Sequence, residues 1–208
     1  MQHVVTESTF DEYSFWFLTR MKERKQHTPE FPLGTLVPET PEDRLAALKP
    51  LKGKCPPWFE RARWTIVSMT AADLATVVVV DNEKIRGLGL LRTGTDRTLD
   101  NTARIAIKMG YFERPDAADP RHQEYYHKLL EGQLSLSGPD RLVLRELRAG
   151  EAALHPEPSP GYFPARTLYL HDGFGRALPL MVLVQRGILP ATIPVEAFVA
   201  RLPDDPAA

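Results

Sequence analysis

Strand and helix patterns alternate along the chain from residue 64 to residue 199. Apolar, β-branched runs predict the strands, while apolar residues three or four apart, bounded by capping residues and glycines, predict the helices. In chain order, the predicted elements are strands at 64–69, 76–80 and 85–91, helices at about 97–109 and 120–131, strands at 141–148 and 167–171, a helix after Gly175 and a strand at 193–199. Strands and helices mixed in this way predict an α+β fold built on a mixed β-sheet.

Two local signals refine this assignment. The turn sequence Asp81-Asn82-Glu83-Lys84 joins the strands at 76–80 and 85–91, so we expect these two strands to form a hairpin. Gly110 and Gly132 follow the last apolar positions of the two central helices, where glycine commonly ends a helix.

The first 62 residues form a predicted helical and proline-rich extension to an α+β domain at 63–208, the whole being one compact domain. An amphipathic helix is expected at roughly 7–25, with Ser8 or Thr6 as its N-cap. Prolines and glycines then indicate a wrapping segment from 26 to 57, which contains one short helix that begins near Thr40-Pro41. The apolar face of the first helix consists of Phe10, Tyr13, Trp16, Phe17 and Met21.

Composition excludes several classes of protein. Hydrophobic residues make up 43% of the 208 residues, and no apolar run approaches the ~20 residues that cross a bilayer, so no membrane association is expected. The first residues contain no basic stretch followed by an apolar core, and the cytoplasm is the expected compartment. A net charge of −1 makes nucleic-acid binding by this chain alone unfavourable. The single cysteine, Cys55, excludes an internal disulfide and a thiolate-rich metal site.

The segment at 168–176, Leu-Tyr-Leu-His-Asp-Gly-Phe-Gly-Arg, predicts an anion-binding turn. A strand here passes through glycines into a helix, whose first backbone N–H groups have no internal partner and carry partial positive charge. Gly173 and Gly175 would let a phosphate approach the backbone, and Arg176 would add a planar donor group. Asp172 could bind a metal, orient a hydroxyl group or act as a base. In the alternative interpretation, Asp172 caps the helix and Arg176 pairs with a surface carboxylate.

The sequence Gly173-Phe174-Gly175-Arg176-Ala177, followed by Gly187 and by Thr192-Ile193-Pro194-Val195, resembles the nucleotide-binding turn of the ParB/sulfiredoxin-like superfamily. The resemblance covers about residues 165–199. It implies a strand-turn-helix-strand unit on which the phosphates of ATP or CTP lie with Mg²⁺. Members of the superfamily are nucleotide-gated DNA clamps, sulfinic acid reductases or kinases of free serine.

The sequence differs from the motif of each subfamily, and these differences limit which activity the resemblance implies. Sulfiredoxins have a reactive cysteine where Phe174 or Gly175 stands here, which argues against a reductase. The serine kinases have Asp-Gly-His-His-Arg, of which Asp172, Gly173 and Arg176 match and both histidines are missing. DNA clamps carry a second phosphate motif after the first, whereas the similar run that begins at Asp100 comes before it.

Asp172-Gly173-Phe174-Gly175-Arg176 also resembles the Asp-Gly-Asn-Gly-Arg part of the Fic motif. Leu168 stands where that motif has its essential histidine, and Phe174 replaces its asparagine. The backbone before Asp172 separates the two resemblances, because a strand is expected in the first and a helix and loop in the second.

The function expected from these residues is binding of a nucleoside triphosphate, followed by phosphate transfer to a small hydroxylated metabolite or by nucleotide hydrolysis. The alternatives are a non-catalytic nucleotide-responsive or partner-binding module and a degenerate Fic-like protein. Asp172 is the predicted Mg²⁺ ligand or base, and the catalytic candidates are Asp172, His171 and Glu151. The candidate nucleotide-binding residues are Gly173, Phe174, Gly175 and Arg176.

Overall fold

The computed structural model describes residues 4–23, 36–51, 57–79, 85, 87–90, 97–114, 116, 118–146 and 168–201. Its strands are β1 (Val4–Ser8), β2 (Arg63–Thr70), β3 (Val78–Val79), β4 (Leu142–Glu146), β5 (Leu168–Asp172) and β6 (Pro194–Arg201). Its α-helices are α1 (Phe10–Glu23), α2 (Pro41–Leu48), α3 (Ala71–Leu74), α4 (Leu99–Lys108), α5 (Pro120–Leu130) and α6 (Phe174–Gln185), with short 3₁₀ helices at Pro57–Arg61 and Gly138–Asp140. None of the helices in these ranges combines the length and apolar character that a membrane crossing requires.

The six strands form one mixed sheet in the order β1-β2-β6-β4-β5-β3. The pairs β1/β2, β2/β6 and β4/β5 are antiparallel, while β4/β6 and β3/β5 are parallel. The predicted α+β fold with a mixed sheet is therefore confirmed.

Successive side chains of the strands point to opposite faces of the sheet and divide the core into two clusters. On one face, Trp64 and Phe198 pack in a cluster with residues of α1 and α2, which we call the aromatic cluster. On the other face, Val67 and Val199 pack in a larger aliphatic cluster with residues of α4, α5 and α6. The sheet thus lies between two helical layers.

The start of the chain differs from the prediction. Residues 4–8 form the edge strand β1, so neither Thr6 nor Ser8 is the N-cap of α1. Thr9 takes this role, because its side chain accepts the Glu12 N–H while the Glu12 carboxylate accepts the Thr9 N–H. This reciprocal pair is a capping box. Pairing with β2, a long-range contact, holds Thr6 and Ser8 in the extended conformation.

The predicted hairpin between 76–80 and 85–91 is wrong. β3 pairs in parallel with β5, while Ile85 and Gly87 are helical. Ile85 is 4% exposed and Leu88 packs against the same aliphatic cluster, as residues three apart on a helix do. A short apolar run with glycines fits a strand or a helical turn equally well, and packing in the folded chain selects the helical turn here.

The two central helices begin and end where the sequence predicts. Thr98 caps α4 and Asp119 caps α5, each through its side chain, and Pro120 is in the first turn of α5. Gly110 and Gly132, which follow these helices, have positive φ angles of 62° and 67°. These ends depend on side chains within a few residues of the helix, which is why the sequence locates them.

Candidate functional site

The candidate site lies where β5 ends and α6 begins, with only Gly173 between them. β4 runs antiparallel to β5, so the start of β4 lies beside the end of β5. Asp140, which precedes β4, therefore lies at the same end of these strands as the turn. Ligands of open sheets in α/β proteins commonly bind at the carboxyl ends of strands. The sheet therefore brings the predicted turn and Asp140 together.

Gly173 is the N-cap of α6 and has φ 102°, a left-handed conformation that favours glycine. A Cβ atom at this position would lie 2.5 Å from Leu142 Cδ2 and 2.9 Å from Arg176 Nη2. At Gly175, a Cβ atom would lie 3.0 Å from His122 Cδ2. Packing against Leu142, Arg176 and His122 therefore favours glycine at both positions, so the glycines themselves do not indicate a bound phosphate.

Arg176, in the first turn of α6, is a buried arginine with unused hydrogen-bond donors. It is 1% exposed, and its Nη2 lies 3.3 Å from Asp172 Oδ2. Its Nη1 lies 3.9 Å from Asp140 Oδ1, too far for a hydrogen bond. Within the described part of the chain, Nε and Nη1 have no hydrogen-bond partner. Burial lowers the pKa of Arg176, and the charge of Asp172 partly opposes this shift.

These contacts differ from the alternative in which Arg176 pairs with a surface carboxylate. The side chains of Asp172 and Asp140 are themselves only 17% and 24% exposed. A buried donor without a partner costs about 1–3 kcal/mol and is uncommon in folded proteins. Among the described residues, Nε and Nη1 of Arg176 therefore remain available to a further acceptor.

A second buried arginine, Arg20 of α1, lies close by. It is 8% exposed, and its Nη1 lies 2.7 Å from Asp140 Oδ1. Its Nε has no hydrogen-bond partner among the described residues. Arg20 is not among the site residues predicted from the sequence, although a signal exists: Tyr13, Phe17 and Arg20 follow one another at spacings of four and three, which puts a cation on the apolar face of the helix.

Arg20 and Arg176 line the same cavity, which has a volume of about 860 Å³. Small-molecule sites usually occupy about 300–1,000 Å³, so this volume suits a ligand of nucleotide size. Its walls come from α1, α5, the start of α6, Asp140 and several loop residues. Aromatic side chains in the lining are Trp16, Phe17, Tyr125 and Phe174. Other basic side chains in it are Arg121 and Lys128.

Tyr125 of α5 adds a hydroxyl group to this cavity. Burial raises the pKa of Tyr125, and the nearby charges of Arg176 and Arg20 offset part of this shift. A raised pKa keeps the phenol protonated at neutral pH, so Tyr125 can donate a hydrogen bond.

His122, also in the lining, is buried and held by Tyr111, whose Oη lies 2.9 Å from His122 Nδ1. The Tyr111 oxygen accepts the Asp119 N–H at 3.0 Å, which leaves its hydroxyl hydrogen for Nδ1. This arrangement favours the tautomer with the proton on Nε2. His122 is likewise not among the site residues predicted from the sequence.

The other predicted catalytic residues lie elsewhere. The ring of His171, in β5, packs edge-on against Phe59 of the aromatic cluster at 4.9 Å between centroids, and His171 is not among the residues that line the cavity. Glu151 lies outside the described residues. Of the three catalytic candidates, Asp172 is the one that lines the cavity in the described structure.

The described residues contain no group of three or more histidine, cysteine, aspartate or glutamate side chains that could hold a metal ion. Mg²⁺ is usually bound through one or two carboxylates together with the phosphates of a substrate. Asp172 and Asp140 provide two such carboxylates at the cavity wall. In the described structure, Asp172 Oδ2 lies 3.3 Å from Arg176 Nη2 and Asp140 Oδ1 lies 2.7 Å from Arg20 Nη1, so both carboxylates serve ion pairs and Mg²⁺ binding stays a prediction.

The backbone up to Asp172 is the strand β5. A strand here is expected from the ParB/sulfiredoxin-like resemblance, whereas the Fic-like resemblance predicts a helix and loop. Neither family is shown by this backbone alone, because many folds contain such a strand. No family model, no curated protein and no solved structure matches the chain, so both resemblances stay predictions.

Proposed function

We propose that the protein binds a nucleoside triphosphate, ATP or CTP, with the phosphates at the Arg176 guanidinium and the first backbone N–H groups of α6. The observation that carries this proposal is the 1% exposed guanidinium of Arg176, whose Nε and Nη1 have no hydrogen-bond partner in the described part of the chain. Phosphate oxygens suit these donors, because hydrogen bonds from a guanidinium to phosphate are charge-assisted and strong. Nε and Nη1 lie on different edges of the guanidinium, so each bonds to a separate acceptor.

The start of α6 supports the same ligand. The N–H groups of Arg176 and Ala177 both bond to the Gly173 carbonyl, and the N-cap has no side-chain hydrogen bond. Phe174 and Gly175 occupy the first positions of the helix, where an N–H group has no intrahelical acceptor. Helix N-termini bind phosphate through such groups and through the helix dipole. The nucleoside would occupy the part of the cavity lined by Trp16 and other aromatic rings.

The bound nucleotide is the substrate of a phosphate transfer or a hydrolysis in this proposal. The oxygen of water or of a small hydroxylated metabolite forms a bond to the terminal phosphorus, and the bond from this phosphorus to the bridging oxygen breaks. Asp172 accepts the proton of the attacking hydroxyl or holds Mg²⁺ together with the phosphates. When bound, Mg²⁺ neutralises charge on the phosphate oxygens. The cytoplasm, which contains nucleoside triphosphates, is the compartment that suits this function.

A nucleotide-responsive module without turnover is the second candidate. It is favoured by the position of Asp172, whose Oδ2 lies 3.3 Å from Arg176 Nη2 and so already serves an ion pair. Turnover measurements separate the two candidates.

Replacing Arg176 by methionine is expected to weaken ATP and CTP binding by roughly tenfold or more, because a hydrogen bond from a charged group contributes about 1.5–3 kcal/mol. Thermal shifts across a nucleotide panel with Mg²⁺ measure this loss, since a ligand at 100 times its Kd stabilises the fold by about 2.7 kcal/mol. Arg104→Met is the matched control: it removes one exposed cation of α4 that does not line the cavity. A wild-type protein that no nucleotide stabilises, or equal shifts in both variants, would contradict the proposal.

Replacing Asp172 by asparagine is expected to lower the rate of nucleoside diphosphate release by about 100-fold while binding persists, because a positioned base contributes 10²–10⁴ in rate. Steady-state assays with ATP and CTP measure the release. Glu124→Gln removes a carboxylate from the same cavity and should leave the rate unchanged. Nucleotide binding without release in the wild type would favour the module without turnover.

A further inference from the structure

Unused hydrogen-bond donors are concentrated at one place in the fold. Four buried side-chain nitrogen or oxygen atoms in the described residues lack a hydrogen-bond partner, and three of them are Arg20 Nε, Arg176 Nε and Arg176 Nη1. The two arginines come from helices in different layers, α1 and α6. Because both line one cavity, a single ligand can satisfy the donors of both.

Asp140 joins the two guanidinium groups. Its Oδ1 lies 2.7 Å from Arg20 Nη1 and 3.9 Å from Arg176 Nη1. One carboxylate oxygen thus holds two cations near each other, and the charge of Arg20 contributes to lowering the pKa of Arg176. With Asp172 beside Arg176, the two carboxylates balance the two charges but leave three donor atoms unpaired.

The chemistry of this pair defines the ligand more closely. A monophosphate at the N-terminus of α6 can bind Arg176 and the first backbone amides. A second, adjacent phosphate can supply further acceptors to Arg20, which lines the same cavity from α1. Asp140 and Asp172 already compensate the two charges, so the ligand has to supply acceptor atoms, and three unpaired donors on two guanidinium groups favour a ligand with acceptors on more than one phosphate.

We propose that Arg20 is a second phosphate-binding residue, paired with Arg176 around Asp140, and that the site selects ligands with two or more adjacent phosphates. This inference rests on the proposed function, because it assumes that phosphate binds at Arg176. It adds a residue of α1 to the site and makes the length of the phosphate chain the basis of selectivity. Asp140 is a positioning residue in this arrangement, since it holds both guanidinium groups.

The test measures how affinity depends on the number of phosphates. Titration calorimetry with AMP, ADP and ATP, and with phosphate, pyrophosphate and tripolyphosphate, is carried out on the wild type, Arg20→Met and Arg176→Met. We expect Arg20→Met to weaken binding of the ligands with two or three phosphates by roughly tenfold and to leave the monophosphates almost unchanged. Arg176→Met should weaken all of them.

Two further variants keep the result interpretable. Arg104→Met changes the net charge equally but removes an exposed cation outside the cavity, so it should leave all affinities unchanged. Arg20→Lys retains the charge beside Asp140 but lacks a guanidinium Nε, so it should reduce the preference for longer phosphate chains even if Arg20→Met does not fold. Circular dichroism of each unliganded variant reports folding.

The outcomes separate this inference from the proposed function. If Arg176→Met weakens binding while both Arg20 variants keep the wild-type preference for di- and triphosphates, Arg20 does not bind phosphate and this inference alone fails. Equal weakening of mono-, di- and triphosphates by Arg20→Met and by Arg20→Lys also overturns it. If the wild type binds none of the six ligands and does not bind CTP either, the proposed function fails as well.

Discussion

Replacing Tyr13 by alanine is expected to lower the free energy of unfolding by about 4 kcal/mol, because truncation of a large buried aromatic side chain removes its burial and leaves a cavity. Tyr13 is 0% exposed at the centre of the aromatic cluster. Its ring stacks on Trp64 with 4.3 Å between centroids and meets Phe59 and Phe198 edge-on at 5.6 Å and 5.9 Å. Urea denaturation followed by tryptophan fluorescence and by circular dichroism measures the loss.

Phe15→Ala provides the matched control on the same helix. Phe15 is 52% exposed and its ring lies 5.6 Å from the Arg44 guanidinium carbon, an exposed contact worth up to about 1 kcal/mol. We expect its removal to cost no more than this. Similar losses for the two variants would show that α1 does not pack on the sheet through Tyr13.

Replacing Gly173 by alanine is expected to cost about 3 kcal/mol of stability, for two separate reasons. The φ of 102° is strained for any residue with a Cβ atom, and this Cβ would lie 2.5 Å from Leu142 Cδ2 and 2.9 Å from Arg176 Nη2. Leu142 is 0% exposed, so its side chain has little free space into which it can move, whereas the Arg176 guanidinium can be displaced into the cavity that it lines. Displacement of the Arg176 guanidinium should also weaken nucleotide binding.

Gly132→Ala isolates the contribution of the backbone. Gly132 has φ 67°, and a Cβ atom there would have no heavy atom within 4 Å, so about 1 kcal/mol is expected from strain alone. Chemical denaturation of the two variants side by side measures the difference. Equal losses of stability in the two variants would mean that Leu142 and Arg176 move aside at little cost and that packing around Gly173 is loose.

Local features of the chain were predictable wherever neighbouring residues determine them. Thr40 caps α2 through a hydrogen bond from the Asp43 N–H, and Asp119 caps α5, as expected from capping chemistry within one helical turn. The strand-to-helix change around Gly173 was predicted for the same reason, although α6 begins at Phe174 rather than after Gly175.

Features that depend on distant contacts were not predictable. β1 exists as a strand because it pairs with β2. Ile85 and Gly87 are helical, and Ile85 and Leu88 pack in the aliphatic cluster. Arg20 could not be predicted as a site residue, because the role of a cation on an apolar helix face depends on its partner, Asp140, which is distant in the sequence. His122 depends in the same way on Tyr111.

The sequence by itself determined the α+β class, most helix limits and the location of a glycine-rich turn that ends in Arg176, because periodicity, capping and backbone freedom act over a few residues. The tertiary structure decided the strand order, the burial of Arg176 and its meeting with Arg20 at Asp140. These features arise from contacts between elements far apart in the chain, where packing and charge compensation outweigh local preference.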